Sequence, residues 1–411
     1  MQKFYFYLDY CPLKPSVLEV TTLETDMGNV SKYVVPILLT MGAFGVMGGG
    51  LVAPGLPTIG AAFDAPEEQV GLILSIYTLA AAIGLPVIGY FIDSVGRRKV
   101  GISCLLLDGT AGLTIIFAPN FSTLLILRFF QGIGIAGLVP VAMTMIDDLF
   151  SGDKKLQMMG YLTGSISLGA MIIPTVGGAL AYIHWRLVFG VYGFSLVLAL
   201  IFHKELSETK PVNGSRPGGS LYEYLSELFS TLKIKNIRNL MIHSFTLYFF
   251  LYALVTYLPL YLIKVHGFDE IFSGIALSGQ AVFSAILAWR ATTIADHLDW
   301  RKRASLGFAL ISVSFLLLPY WPEGSYLISL SFIIYGVGMG IVSPTIYDRV
   351  ARISPPEVTG SVIAIFNTMK YIGMTAAPIL IGLSLLYLEL PSIFLGVGGI
   401  SALWAVITHF S

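Results

Sequence analysis

The feature that most constrains this chain is a succession of apolar stretches, each about 20 residues long and separated by short polar loops. A helix rises about 1.5 Å per residue, so such a stretch matches the roughly 30 Å hydrocarbon core of a bilayer. The windows fall near residues 33–53, 69–92, 100–118, 122–146, 156–181 and 187–203, then near 239–262, 271–294, 304–320, 325–347, 358–386 and 391–409. They number twelve, in two groups of six, without the ten-residue alternating blocks of an outer-membrane barrel. Composition agrees: 12% of the residues are charged, against about 25% in soluble domains. With 13% aromatic residues the chain is not of the disordered class. A formal net charge of zero supplies no basic field for nucleic acid, and two cysteines, Cys11 and Cys104, make neither a disulfide framework nor a metal cluster.

Lys and Arg accumulate on the cytoplasmic side of membrane proteins. With the N-terminus inside, twenty of the 24 basic residues, among them Arg97, Arg98, Lys99, Arg301, Lys302 and Arg303, fall on cytoplasmic loops and span ends. Only Arg186 and Lys264 fall outside, and Arg128 and Lys370 lie within spans. A multi-pass protein of the cell (inner or plasma) membrane with both termini in the cytoplasm is expected. Residues 1–32 fit no span and no cleavable signal peptide, because Asp9 and Pro12 interrupt the apolar stretch. They read either as a disordered tail or as sequence ahead of a true start at Met27. Residues 204–238 hold Pro211, Gly214, Pro217, Gly218 and Gly219, then LYEYLSELFSTLKIKN. That pattern predicts a flexible linker followed by an amphipathic helix on the inner leaflet. It divides a six-helix unit at 33–203 from a second at 239–411.

The two units carry the same punctuation. At an offset of 204 residues, Gly132, Gly134 and Pro140 fall on Gly336, Gly338 and Pro344, and Gly169, Pro174 and Gly178 fall on Gly373, Pro378 and Gly382. Asp93 precedes Asp296 by 203 residues, each followed by a basic cluster. A duplicated six-helix unit gives two rigid bundles that can rock about one central site. Glycines within spans serve close helix packing in any case.

Between the second and third spans the chain reads GYFIDSVGRRKVG, with Gly89, Asp93, Gly96, Arg97 and Arg98 at fixed spacing. The fourth span carries Arg128, Gln131, Gly132 and Gly134 and ends in MIDDLF. The fifth carries Gly160, Gly169, Pro174, Gly177 and Gly178, followed by Trp185, Arg186 and Phe189. Together these resemble the motifs of the major facilitator superfamily, in its twelve-span drug:proton antiporter branch. The resemblance implies an all-α membrane fold of two pseudo-symmetric six-helix bundles around a central cavity. It makes the Gly89–Arg98 loop a cytoplasmic gate with an acid near the end of the fourth span, best matched by Asp148, with Asp147 the alternative. It makes the fifth-span glycines an antiporter-like motif, from which Ile173 departs where the family has glycine. The second-half loop, Asp296 to Arg303, also departs, with one extra residue and no glycine.

Transport against a gradient needs an energy source, and the absence of a G-x-x-x-x-G-K-[ST] string argues against ATP. Protons remain, so coupling or substrate roles fall on polar groups within spans. Asp108 is the carboxylate set well inside one, readable as a proton carrier or as a structural partner of a neighbouring helix. Arg128 is expected to face a cavity, a water file or a counter-charge. Lys370 reads as a lysine that snorkels or pairs with Asp108 or a carbonyl, or as a group that recognises an anion or exchanges a proton. Gln131, Asn367, Tyr252 and Tyr371, with Tyr77, Tyr248, Gln280 and Tyr335, suit an amphipathic organic ligand. His184, His203, His243, His266, His297 and His409 stand at no metal-ligand spacing, and no serine sits in G-x-S-x-G, so neither an enzyme nor a metal or other cofactor is expected. The leading reading is proton-coupled efflux of small organic molecules or drugs by a functional monomer in the bilayer. A symporter or uniporter of an anionic metabolite using Arg128 and Lys370 is the alternative, and a transporter-fold sensor ranks last.

Overall fold

The computed structural model describes residues 32–209, 220–290, 298–354 and 359–410. The expectations for residues 1–31, for Pro211 to Gly219 and for Asp296 lie outside them. Among the described residues eleven helices are long and apolar enough to cross a membrane, and one bent pair makes a twelfth span. That pair, α1, joins Val34–Phe44 to Met47–Ala62 at 46°. The others are α2 Glu67–Ser94, α3 Arg97–Phe117, α4 Phe121–Leu149, α5 Gly152–Ile183, α6 Trp185–Glu205, α7 Ile237–Lys264, α8 Glu270–Trp289, α9 Trp300–Tyr320, α10 Tyr326–Ile353, α11 Gly360–Leu385 and α12 Leu390–Phe410. The chain is a multi-pass membrane protein. The first span runs beyond the expected residue 53, because apolar periodicity alone does not register a break at Gly45 and Val46. α8 stops at Trp289, short of the expected 294.

Helix packing repeats between the halves. α4 lies between α2 and α3 while α10 lies between α8 and α9, and α1 packs on α5 as α7 does on α11. Between the halves, α5 packs along α8 and α2 along α11. The repeated glycines are the closest points of these crossings. A Cβ on Gly132 would strike the Tyr77 carbonyl of α2, and one on Gly336 the Gln280 carbonyl of α8. Gly134 lies against the Cys104 carbonyl of α3 and Gly338 against the Gly307 carbonyl of α9. Gly169 meets the Ala43 carbonyl and Gly373 the Phe245 carbonyl; Gly178 meets that of Glu270 and Gly382 that of Glu68. The carbonyls in each pair are themselves 202 or 203 residues apart. Any side chain at these positions would force the helices apart, which is the small-residue packing available to helices that gain nothing hydrophobic from lipid.

The faces that meet at one end of the molecule diverge at the other. We call the end bearing Arg97 and Arg98 the basic end and its opposite the far end. Gly160 lies on the same face of α5 as Gly178, about five turns nearer the basic end, yet its Cβ would meet nothing within 4 Å. Gly360, about six turns nearer the basic end than Gly382 on α11, likewise has nothing within 4 Å of its Cβ position. Both interfaces between the halves are therefore tight at the far end and splayed toward the basic end, leaving a cleft that opens on the basic side.

The linker helix Leu221–Thr231 is capped by Ser220 and Glu223, each side chain bonding the other's backbone N–H at 3.2 and 2.9 Å. It lies against α2 and α11, with Leu228 buried and the Tyr224 ring 6.0 Å from that of Tyr90. One side of the helix thus packs on protein, while Tyr222 and Phe229 on its remaining surface are exposed.

Candidate functional site: a cleft with an open cation

At the basic end, Gly96 turns the chain between α2 and α3 at φ 123°, a conformation that only glycine adopts without strain. The turn delivers Arg97 inward. Its Nε donates to Asp148 Oδ2 at 2.9 Å and its Nη1 to the Ile92 carbonyl at 3.2 Å, while Asp93 Oδ1 stands 3.8 Å from Nη2. Asp148, not Asp147, is thus the acid that joins the loop; Asp147 pairs with Lys155. Glu208, just past α6, accepts from the backbone N–H groups of Arg97 at 2.8 Å and Arg98 at 3.4 Å. A carboxylate at a helix N-terminus satisfies otherwise unpaired donors and the helix dipole together. Arg98 Nη2 donates to the His203 carbonyl at 2.5 Å, and Thr209 Oγ1 donates to Asp148 at 2.9 Å. The chain leaving α6 therefore ties down the loop. Gly89 lies against the Tyr224 hydroxyl of the linker helix.

Arg128 is fully buried in the first half. Its Nε donates to the Ile73 carbonyl at 3.1 Å, Nη1 to Gln131 Oε1 at 2.8 Å and Nη2 to the Gly48 carbonyl at 2.7 Å, and its Cζ lies 4.2 Å from the centroid of the Tyr77 ring. Burying a guanidinium in a membrane costs at least ~2.5 kcal/mol. Three charge-assisted hydrogen bonds at about 1.5–3 kcal/mol each exceed that cost. Close by, Ser195 of α6 donates to Asp108 Oδ2 at 2.6 Å, and Tyr192 donates to the Met47 carbonyl at 3.3 Å. Asp108, Gln131 and Ser195 are all buried. The glycine run Gly48–Gly50 makes this possible, since a Cβ on Gly48 would occupy the Tyr77 ring and one on Gly49 would come 2.5 Å from the Tyr252 hydroxyl of α7.

Lys370 on α11 sits differently. Its Nζ lies 4.9 Å from the centroid of the Tyr248 ring and 5.6 Å from that of Tyr371, and among the described residues no carboxylate stands within ion-pair distance. Tyr371 of the second half packs against an apolar cluster made wholly of first-half residues, as well as against the larger one that both halves share, which places it at the junction. One turn further along α11, Thr375 Oγ1 lies 2.9 Å from Thr78 Oγ1 of α2, the beginning of the far-end seal. Lys370 and Tyr371 therefore form the floor of the cleft. Asn367, a turn toward the basic end, donates to the Ile363 carbonyl at 3.1 Å, and the Tyr248 and Tyr347 hydroxyls pair at 3.0 Å. Two cation–π contacts at about 0.5–2 kcal/mol each offset much of the ~2.5–3.5 kcal/mol for a lysine within a span. They leave the three N–H donors of the ammonium unused.

The seal itself repeats. Ser75 of α2 donates to the Thr375 carbonyl at 3.1 Å, and Ser278 of α8 accepts from Thr175 Oγ1 of α5 at 2.8 Å. Glu67 opens α2 and pairs with Lys264 at the end of α7; Glu270 opens α8 and accepts from Thr58 at the end of α1. Ser75 and Ser278, like Glu67 and Glu270, are 203 residues apart.

Residues 38–378 match the family profile of the Major Facilitator Superfamily. The chain belongs to that superfamily and is a transporter. Among curated relatives it is 26% identical over 359 residues to the bacillibactin exporter of Bacillus subtilis (strain 168), covering 84% of this chain and 86% of that one. It is 26% identical over 341 residues to the multi-drug resistance efflux pump PmrA of Streptococcus pneumoniae serotype 4, covering 80% and 83%. Among solved structures, a bacterial homologue of the human lysosomal transporter Spinster, inward-facing and unoccupied, superposes with a TM-score of 0.72 at 16% identity over 92% of this chain and 94% of that one.

Within this superfamily transporter the predicted site residues divide. Lys370, Tyr371, Asn367 and Tyr252 gather at the cleft floor or junction. Arg128, Gln131 and Asp108 do not join them, because carbonyls of α1 and α2 and the hydroxyl of α6 hold them inside the first bundle. Of the alternatives for Arg128, the structure matches a counter-charge, with Asp108 beside it, and its nitrogens bond carbonyls and Gln131 rather than facing the cleft; Lys370 does not pair with Asp108. Tyr77, Tyr335 and Gln280 are packed in the bundle interiors. Of the fifth-span motif, Gly169, Pro174, Gly177 and Gly178 pack against α1 or α8, whereas Gly160 faces open space. Sequence reading missed Glu208, Thr58, Glu67 and Glu270. The repeat offset that exposed the glycines would also have paired the two glutamates.

Proposed function

We propose that this transporter exports small organic molecules across the cell membrane in exchange for protons, by alternating access, with the basic end in the cytoplasm. The observation that carries the reading is the pair of splayed interfaces: Gly178 and Gly382 closed on the opposite half, Gly160 and Gly360 in open space. A cleft open only toward the basic side is the loading state of an exporter if that side is the cytoplasm, as the distribution of Lys and Arg favours. The efflux activity of the relatives and the fifth-span motif support outward transport and proton exchange. A second reading, symport or uniport of an anionic metabolite, now draws on Lys370 alone, since Arg128 has its donors engaged. Reconstitution in liposomes with an imposed pH gradient separates the two. Extrusion of an organic solute, cation or anion, driven by inward protons supports export; accumulation of an organic anion together with proton entry supports the second reading.

A further inference from the structure

We propose that the cleft floor formed by Lys370, Tyr248, Tyr371, Tyr347 and Asn367 is a binding site for an aromatic organic anion. The proposal deepens the transport reading and rests on it only in taking the cleft as the route of the solute. Charge comes first. The acid nearest the membrane centre, Asp108, is enclosed in the first bundle with Ser195 on one oxygen, and Arg128 beside it is engaged on three nitrogens. The cation left facing the cleft is the Lys370 ammonium, with rings for neighbours and no carboxylate among the described residues. A positive centre at the base of a low-dielectric cleft draws anions and repels cations.

The surroundings then select for shape. Tyr248 and Tyr347 share one hydroxyl contact at 3.0 Å, which uses one of their two phenolic protons; the second can be donated to a ligand oxygen. Tyr347 is 41% exposed and Tyr371 half-buried, so ring surface remains open beside the ammonium. Flat faces next to a charge suit a ligand whose anionic group is attached to an aromatic body. A carboxylate, sulfonate or phenolate would take the ammonium donors while its ring stacks on tyrosine. The site lies one turn to the basic side of the Thr78–Thr375 contact, so a bound solute reaches the point where the far-end seal begins.

Equilibrium binding to the purified full chain in nanodiscs tests this with four matched probes: naphthalene-2-sulfonate, 2-naphthylmethyltrimethylammonium, 2-naphthalenemethanol and cyclohexanesulfonate. The aromatic sulfonate is expected to bind at least about tenfold more tightly than each of the others. Lys370→Gln should weaken it by about tenfold or more, and Lys370→Arg should stay within about threefold of the wild type. Thermal melting of each variant, read in parallel, separates loss of the site from loss of the fold. Equal or tighter binding of the ammonium or the alcohol overturns the anion assignment, as does an unchanged affinity in Lys370→Gln. Equal binding of cyclohexanesulfonate overturns the aromatic part. The transport reading fails separately. If the sulfonate binds as expected but liposomes move no solute, the site stands and the transport reading falls; if liposomes extrude the cation and the sulfonate does not bind, the reverse holds.

Discussion

Arg128 and Lys370 are the cations embedded within spans, one in each half, and the molecule treats them in opposite ways. Arg128 is enclosed, its nitrogens bonded to carbonyls of two neighbouring helices and to Gln131. Lys370 stands against two tyrosine rings at the junction of the halves with its N–H donors uncommitted to any described group. The difference follows from what each neighbourhood can offer. The bend in α1 brings the Gly48 carbonyl onto the guanidinium, so the first half converts its charge into a brace among α1, α2 and α4. The second half sets the rings of Tyr248 and Tyr371 around Lys370, and these hold a cation without saturating it. The two cations stand at positions the repeat does not relate, Arg128 facing Phe332 and Lys370 facing Ile166 at the offset of 204, so each half has placed its own charge independently.

The largest expected effect breaks the brace. Arg128→Leu removes three hydrogen bonds from buried carbonyl and amide oxygens and leaves Asp108 without its neighbouring cation. Removing one partner of a buried charged network costs about 3–5 kcal/mol, so folded yield and melting temperature should fall steeply. Lys370→Gln should melt close to the wild type while losing ligand affinity. A well-folded, transport-competent Arg128→Leu protein would undo the contrast, and so would a Lys370→Gln protein that fails to fold.

An intermediate effect concerns the seal beneath Lys370. Gly178→Ala and Gly382→Ala each place a methyl group on a carbonyl of the opposite half. Overpacking of this kind typically costs about 1–3 kcal/mol, charged here only to the state closed at the far end. Both variants should shift the population toward opening there, read as increased labelling of a cysteine introduced at Ser278. Gly160→Ala, on the same helix face with open space before it, should leave labelling unchanged. Equal behaviour of all three would mean that the two ends of the interface do not differ.

Much of this was legible before any coordinates. Spans follow from apolar length, and the repeated glycines follow because each is held by a backbone contact that its counterpart copies. The resemblance favours Asp148 without excluding Asp147 and leaves Arg97 and Arg98 side by side; the structure pairs Asp148 with Arg97 and Asp147 with Lys155. Other features depend on distance in space that no local pattern encodes. Glu208 caps α3 from more than a hundred residues away, and Arg128 is held inside its bundle by the Gly48 carbonyl, which follows a bend in α1 that hydropathy does not register. The linker helix was recognisable by its amphipathicity, but an apolar face reads the same whether protein or lipid covers it.

The smallest expected effect sharpens the assignment of the first half to structure. Asp108→Asn preserves shape and an acceptor for Ser195, and removes only the negative charge beside Arg128. The loss should be about 0.5–1.5 kcal/mol, that of one ordinary hydrogen bond weakened, seen as a melting temperature lowered by a few degrees. Because Asp108 is walled off from the cleft by its own bundle, the pH dependence of transport in liposomes should match that of the wild type. A variant that binds the solute normally but no longer responds to an imposed proton gradient would make Asp108 the proton carrier. The buried network of Arg128, Gln131 and Asp108 would then be part of the coupling path, and the division of labour between the halves would have to be redrawn around it.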